Sequence, residues 1–156
     1  MKIPLTCGLA MEVDEDDFDY LSQWKWHVHK KRGNGSWYAC RTEGRKVIMA
    51  HRQILHIACG DNAEVDHING NGLDNRKCNL RKADRSQNQC NSPKRRGTQF
   101  RYKGILRTKY GRYIACVIKN KRKHYFGHYK TEEDAAKAYD QGAKLLHGEF
   151  ANLNFP

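Results

Sequence analysis

Asp66 and His67 stand side by side in the stretch EVDHINGNGLDNRKCNL, residues 64–80. Two Asn-Gly pairs follow at once, and both residue types tolerate positive φ, so the stretch reads as tight turns. A fold needs one turn there. A titratable pair on the lip of a turn suits chemistry. A site that cuts a phosphodiester needs a base for water, a cation for the leaving oxygen, and a means of holding the base neutral and aimed. His67 fits the base, because an unperturbed imidazole titrates at about 6.5. Asp66 offers a hard oxygen ligand, and an Asn carbonyl on a nearby helix would offer another. Oxygen ligands favour magnesium or manganese over zinc. Neighbouring strand residues point to opposite faces. Asp66 would then face the metal and His67 the attacking water, given a distorted strand end of the kind glycine turns allow.

These residues need elements to hold them. EVDEDDFDYLSQW, with six acids between residues 12 and 19, predicts a short helix whose N-terminal acids suit the helix dipole. An acidic metal cluster is the alternative there. WKWHVHK, SWYACRT and KVIMA predict a small antiparallel sheet, with KRGNGS between the first two. HRQILHIA predicts a short helix carrying His51 and His56, read as structural ahead of ligand roles. Residues 64–91 are rich in Asn and turns, and DRSQNQCN predicts a short helix with Asp84 near its N-cap. SPKRRGTQF, residues 92–100, reads as a basic linker able to touch phosphates. YKGILRT, GRYIACVIK and KHYFGHY predict three strands with turns at KYG and KNKR. A helix follows over TEEDAAKAYDQGAKLLHG. Thr131 and Asp134 form a capping-box-like start, and Gly148 supplies the stop. Its stripe of Ala135, Ala138, Tyr139, Gly142, Ala143 and Leu146 is mostly small, so the helix is expected to lie close on a sheet.

Charge divides the chain unevenly. Net charge is +12 over 156 residues, yet residues 85–131 hold 14 Lys and Arg with no Asp or Glu. The remainder carries 15 basic and 17 acidic residues. One continuous basic block reads as a footprint for a polyanion, above all nucleic acid. A membrane surface fits less well, because the block lacks the apolar face of an interfacial helix. No apolar run reaches spanning length, and the N-terminus turns acidic before a signal-peptide core forms, so an intracellular protein is expected. The six cysteines, Cys7, Cys40, Cys59, Cys78, Cys90 and Cys116, form no C-x-x-C pair and read as reduced thiols.

VDHINGNGLDNRKCNLRKADRSQNQCN resembles the HNH endonuclease motif of the ββα-metal superfamily, and is most similar to the phage intron-encoded homing endonucleases. Asp66-His67 match the first pair, Asn79 the central Asn and Asn88 the last position, where many zinc-free members have His. The resemblance covers roughly residues 12–91. It implies that Asp66 and Asn88 bind one divalent metal, that His67 is the general base, and that Asn79 braces the loop or ring holding it. The plainer alternative is a hairpin cap with Asn residues serving turns; Asn79, Asn88 and the adjoining basic block weigh against it. A thiol site of Cys78 or Cys90 with His67 is a further alternative. A zinc knuckle from Cys59, Cys78, Cys90 and a His lacks paired spacing.

Residues 100–156 resemble the plant ethylene-response-factor (Apetala-type) DNA-binding domain, through Y-x-G, G-x-Y-x-A, Y-F-G, T-x-E-x-A-A-x-A-Y-D and the terminal L-N-F-P. That family lays a three-stranded sheet in the DNA major groove, backed by one helix, and a β-ribbon fits that groove. By position Lys103, Tyr110, Arg112, Lys123 and Tyr125 match its DNA-contacting residues. Leu106, Thr108, Cys116 and Ile118 depart from places where it uses Arg, Arg, Glu and Arg. The plant target sequence is therefore not expected to transfer, while the phosphate contribution is.

The expected fold is α+β: a ββα-metal HNH nuclease module over 1–91, a basic linker over 92–99, and a three-stranded antiparallel sheet packed on one helix over 100–156. The expected function is hydrolysis of DNA phosphodiesters with one Mg²⁺ or Mn²⁺ and no zinc, as a phage-type homing endonuclease. Lys94, Arg95, Arg96 and Arg101 join the matched residues as expected DNA contacts. Double-stranded DNA is the expected partner, a monomer the expected state, and the cytoplasm of a phage-infected or prophage-bearing cell the expected place. A non-catalytic DNA-binding regulator that keeps the nuclease fold is the competing class.

Overall fold

A computed structural model of the chain describes residues 1–30, 36–58, 60–94 and 97–156. The fold is mixed helix and sheet, of the α+β class. It divides into two compact units, Met1–Arg85 and Ser86–Pro156. The division falls six residues before the end of the first domain read from the sequence, so most of the short helix that starts at Arg85 counts with the second unit.

The first unit opens with two short strands that the sequence reading did not anticipate, β1 (Lys2–Pro4) and β2 (Ala10–Glu12), paired antiparallel. Helix α1 (Glu15–Ser22) follows, with Glu15, Asp16 and Asp17 in its first turn. Two acids of this stretch are engaged within the unit: Lys77 donates its backbone N–H to Asp14 at 2.6 Å and its ammonium pairs with Asp17 at 2.9 Å. Strands β3 (His27–Lys30), β4 (Trp37–Glu43) and β5 (Lys46–Met49) form the expected antiparallel sheet in that order. The expected KRGNGS turn lies almost wholly outside the described residues. Helix α2 (Ala50–Ile54) is shorter than HRQILHIA suggested. The chain leaves it at once, and His56 takes a left-handed φ of 52°. His51 is therefore on the helix and His56 beyond it.

Strands β6 (Glu64–His67) and β7 (Leu80–Ala83) then pair as an antiparallel ribbon joined by the Asn-rich loop. Ile3, Met11, Leu21, Trp26 and Leu80 belong to one buried cluster, so sheet, helices and ribbon share a core. Trp26 lies 1% exposed and satisfies its indole N–H on the Leu21 carbonyl at 2.8 Å.

Helix α3 (Arg85–Cys90) begins directly after Asp84. In the second unit β8 (Ile105–Arg107), β9 (Tyr113–Lys119) and β10 (Arg122–Tyr129) form the expected three-stranded antiparallel sheet, with β9 central. Helix α4 (Glu132–His147) packs across it. Thr131 caps α4 by accepting the Asp134 N–H at 3.1 Å. Ala135, Ala136, Tyr139 and Ala143 bury against Ile105, Ala115 and Val117. The small-residue stripe has the predicted consequence: a Cβ on Gly142 would come within 2.5 Å of the Phe126 ring. Among the described residues no helix is long and apolar enough to cross a membrane.

Candidate functional site

The β6–β7 register decides what surrounds the acid and histidine. Asp66 lies opposite Arg81, and His67 opposite Leu80. Asp66 is 3% exposed, and its Oδ2 accepts from Arg81 Nε at 2.8 Å and pairs with the Nη2 end at 2.6 Å. A buried carboxylate requires such a partner, because an unpaired charge out of water costs several kcal/mol. Arg81 was missed by the sequence reading. The only signal for it was its place across a hairpin whose register could not be fixed beforehand.

His67 ends β6 and is 5% exposed. Its Nε2 lies 3.3 Å from Asn75 Oδ1. In the tautomer with the proton on Nε2, that nitrogen donates to the amide oxygen and the lone pair sits on Nδ1. Burial pushes His67 below the ordinary imidazole range, while Asn75, Asp66 and Asp74 pull it back upward. The ring is walled by two aromatic neighbours, with His51 at 5.1 Å between centroids and edge-on, and Tyr38 at 5.7 Å. His51 is itself buried, and its pKa falls to about 3 through burial first, then the charges of His67 and Arg52.

Asn79 is 6% exposed and spans the loop between the strands. Its Oδ1 accepts the Asn69 N–H at 3.0 Å, and its Nδ2 donates to the Asp74 carbonyl at 2.8 Å. Asp74 adds a second tie, taking Asn69 Nδ2 at 2.8 Å and Arg76 Nε at 2.8 Å. The two Asn-Gly pairs behave differently. Gly70 has φ 73° and donates to the His67 carbonyl at 2.8 Å, closing a turn. Gly72 has no positive φ; a Cβ there would collide with the Trp37 carbonyl and the Tyr38 ring. The second glycine is thus required by close approach to β4.

Asn88 lies on α3, half-buried, and belongs to the second unit. Among the described residues no group of three or more His, Cys, Asp or Glu is placed to hold a metal. Five of the six cysteines are described, and none of these five is in a disulfide; Cys59 lies outside the described residues.

In the second unit Arg101, Tyr110, Arg112, Lys123 and Tyr125 are exposed. Tyr110, at 81%, stands at the tip of a β8–β9 turn closed by Thr108, whose N–H donates to the Arg112 carbonyl at 2.8 Å. Lys103 is different. Its ammonium donates to the carbonyls of Cys90 at 2.9 Å and Ser92 at 2.6 Å, and burial lowers its pKa to about 8. Lys94 is half-buried, and Arg95 and Arg96 lie outside the described residues.

Comparison with known proteins identifies the family of the chain. The chain is 32% identical over 147 residues to an uncharacterised HNH endonuclease of Acanthamoeba polyphaga mimivirus, covering 94% of this chain and 75% of the relative. It belongs to the HNH endonuclease family. A second set of relatives is shorter in reach. An ethylene-responsive transcription factor of Arabidopsis thaliana is 46% identical over 57 residues, 35% of this chain and 31% of that protein. The dehydration-responsive element-binding protein 2A of the same plant is 33% identical over 57 residues, 35% of this chain and 17% of its own length. The chain therefore spans no more than about a third of these plant relatives. No protein-family model and no solved structure matches the chain with significance.

Proposed function

We propose that the chain hydrolyses phosphodiester bonds of duplex DNA, with His67 as general base and the basic second unit as the grip. The observation that carries this reading is the environment of His67. The ring is buried, held at Nε2 by Asn75, kept neutral by desolvation, and set on a turn whose loop Asn79 ties at both ends. A neutral imidazole held in a fixed orientation suits the role of general base toward water.

Asp66 carries a carboxylate and Asn88 an amide oxygen, each the kind of hard donor that magnesium or manganese takes, and each is proposed as a ligand to such an ion. When bound, the ion would stabilise charge on the leaving oxygen. Arg81 keeps the Asp66 carboxylate oriented. Arg101, Tyr110, Arg112, Lys123 and Tyr125 would contact DNA from the second unit, and Lys94, Arg95 and Arg96 are further proposed contacts. Lys103 would act mainly by bracing that unit, given its two carbonyl partners. The plant relatives, one named a transcription factor and the other an element-binding protein, favour a second reading in which the chain binds DNA without cutting it. Free-standing or intron-borne homing in an infected or prophage-bearing cell is part of the first reading.

A plasmid-nicking assay tests the choice. Wild-type chain with Mg²⁺ or Mn²⁺ should convert supercoiled plasmid to nicked or linear form, and excess chelator should stop it. His67→Ala should lose activity by about 10²-fold or more, the scale of a general base, while still retarding DNA in a gel. Equal cutting by His67→Ala would remove His67 from the reaction. Binding without cutting by the wild type would leave the regulator reading.

A further inference from the structure

The outward face of the β8–β9–β10 sheet has an unusual composition for a surface. Alternation along β9 turns Ala115 and Val117 into the core and Ile114, Cys116 and Ile118 to the other face, where Cys116 is nonetheless buried at 6% and Ile118 is exposed. Cross-strand pairing places Leu106 beside Ile114, Tyr125 beside Cys116, and Lys123 beside Ile118. Leu106 is 38% exposed, Ile118 58% and Tyr125 59%. An antiparallel sheet with one solvated face normally sets polar residues there. A contiguous apolar surface with a polar rim marks a binding face.

The rim says what covers it. Lys109 and Arg112 flank the β8–β9 turn, Lys121, Arg122 and Lys123 the β9–β10 turn, and the sequence from Arg85 to Thr131 contains no acid. An apolar strip between two cationic turns fits a groove with phosphates on both walls. The major groove admits a two-stranded β-ribbon, and the neighbouring strands β8 and β9, which carry Leu106 and Ile118, supply one. Within that groove, bases offer hydrogen-bonding edges and one apolar group, the C5 methyl of thymine. Arg107, the one arginine of β8, stacks over the Tyr113 ring at 5.8 Å, and Tyr113 packs on the core side. The face therefore sets branched aliphatic side chains where a guanine reader would set guanidinium forks.

We propose that Leu106 and Ile118 read thymine methyl groups in the major groove, so that the chain selects duplexes bearing thymine at the bases under this sheet. The inference rests on the reading of the second unit as the DNA grip. It adds the class of sequence that the grip prefers, and it locates the discrimination on two side chains that make no hydrogen bond.

The test uses the full chain in excess chelator. Duplexes are selected from a random pool by retention, and the enriched duplex is compared with the same duplex carrying deoxyuridine for thymine, which removes only the methyl. Enriched sites should contain thymine, and each buried methyl lost should weaken binding about three- to fivefold. Leu106→Ala and Ile118→Ala should each bring the thymine-to-uracil ratio toward one, with thermal melts unchanged because both side chains are exposed. Equal binding of thymine and uracil duplexes, with duplex binding intact, overturns the inference and leaves the grip standing. A thymine preference that survives both substitutions also overturns it, by placing the reading elsewhere. Absence of any duplex binding removes the grip itself, and the inference with it.

Discussion

The Asn79 amide satisfies two backbone groups of the loop that carries His67, one at Asn69 and one at Asp74. Removing it leaves a buried carbonyl unpaired, so Asn79→Ala should cost about 1–3 kcal/mol in a denaturant melt. Asn79→Asp would keep the acceptor toward Asn69 but set a buried carboxylate against the Asp74 carbonyl, and should cost more than Asn79→Ala. A neighbouring histidine gives the first unit its pH response. His51 is neutral when folded, with its pKa near 3, against an unfolded value of 6.5. Above pH 6.5 both states are neutral and nothing is lost. As pH falls from 6.5 toward 3 the unfolded chain takes up the proton first, so stability declines. Between pH 7 and pH 5 the loss should be about 1–2 kcal/mol. Urea melts at the two pH values check it, and His51→Phe should flatten the difference.

Local signals carried much of the element plan. The acids before α1, the Thr131 cap and the small-residue stripe of α4 are each written in a few adjacent residues, and each has its element. The three strands of the second sheet were legible for the same reason, being separated by turn residues such as Asn120 and Gly111 at positive φ. What escaped depended on distant partners. Strands β1 and β2 are three residues each and gain their place by pairing with one another and by packing Ile3 and Met11 into the core. Three alternating residues give no periodicity to read. The same holds in the site. Asp66, His67 and Asn79 could be named from their types and spacing, whereas Arg81, Asn75 and Tyr38 come to His67 and Asp66 through register and loop path. Gly72 looked like a turn glycine and proved to be a packing glycine.

Element packing also yields a prediction. Gly104 has φ 74°, and a Cβ there would run into the Tyr139 ring that fills the sheet–helix interface. Gly104→Ala combines backbone strain with overpacking, and should destabilise the second unit by more than the 1–3 kcal/mol typical of overpacking alone. Thr131→Ala removes only the α4 cap and should cost about 1 kcal/mol. Thermal melts of the two variants should therefore rank clearly, with Gly104→Ala the lower.

At the scale of the whole chain, charge and fold divide at nearly the same place. The unit boundary at Arg85/Ser86 opens the acid-free stretch that holds 14 of the 29 basic residues. A separate core under the second sheet means that Ser86–Pro156 should fold as a fragment and carry the grip with it. Its affinity for duplex DNA should then be dominated by counterion release. Each phosphate contact contributes about −0.9 to the slope of log K against log salt. Not every basic residue faces a duplex: Lys103 is spent on the Cys90 and Ser92 carbonyls, and Lys119 donates to the Leu146 carbonyl at 2.6 Å. A slope of roughly −4 to −7 follows for the remainder. Arg112→Ala should weaken binding on every sequence and reduce the slope by about 1 if it meets phosphate. If it meets a base edge instead, it should relax one position by about 1–3 kcal/mol. Lys103→Ala, by contrast, should lower the melting temperature of the fragment more than it lowers the salt slope, because its work is internal. Titration of the fragment and its two variants on matched and random duplexes separates these outcomes. A flat salt response, or a folded fragment that ignores DNA while Met1–Arg85 binds it alone, would move the grip to the first unit.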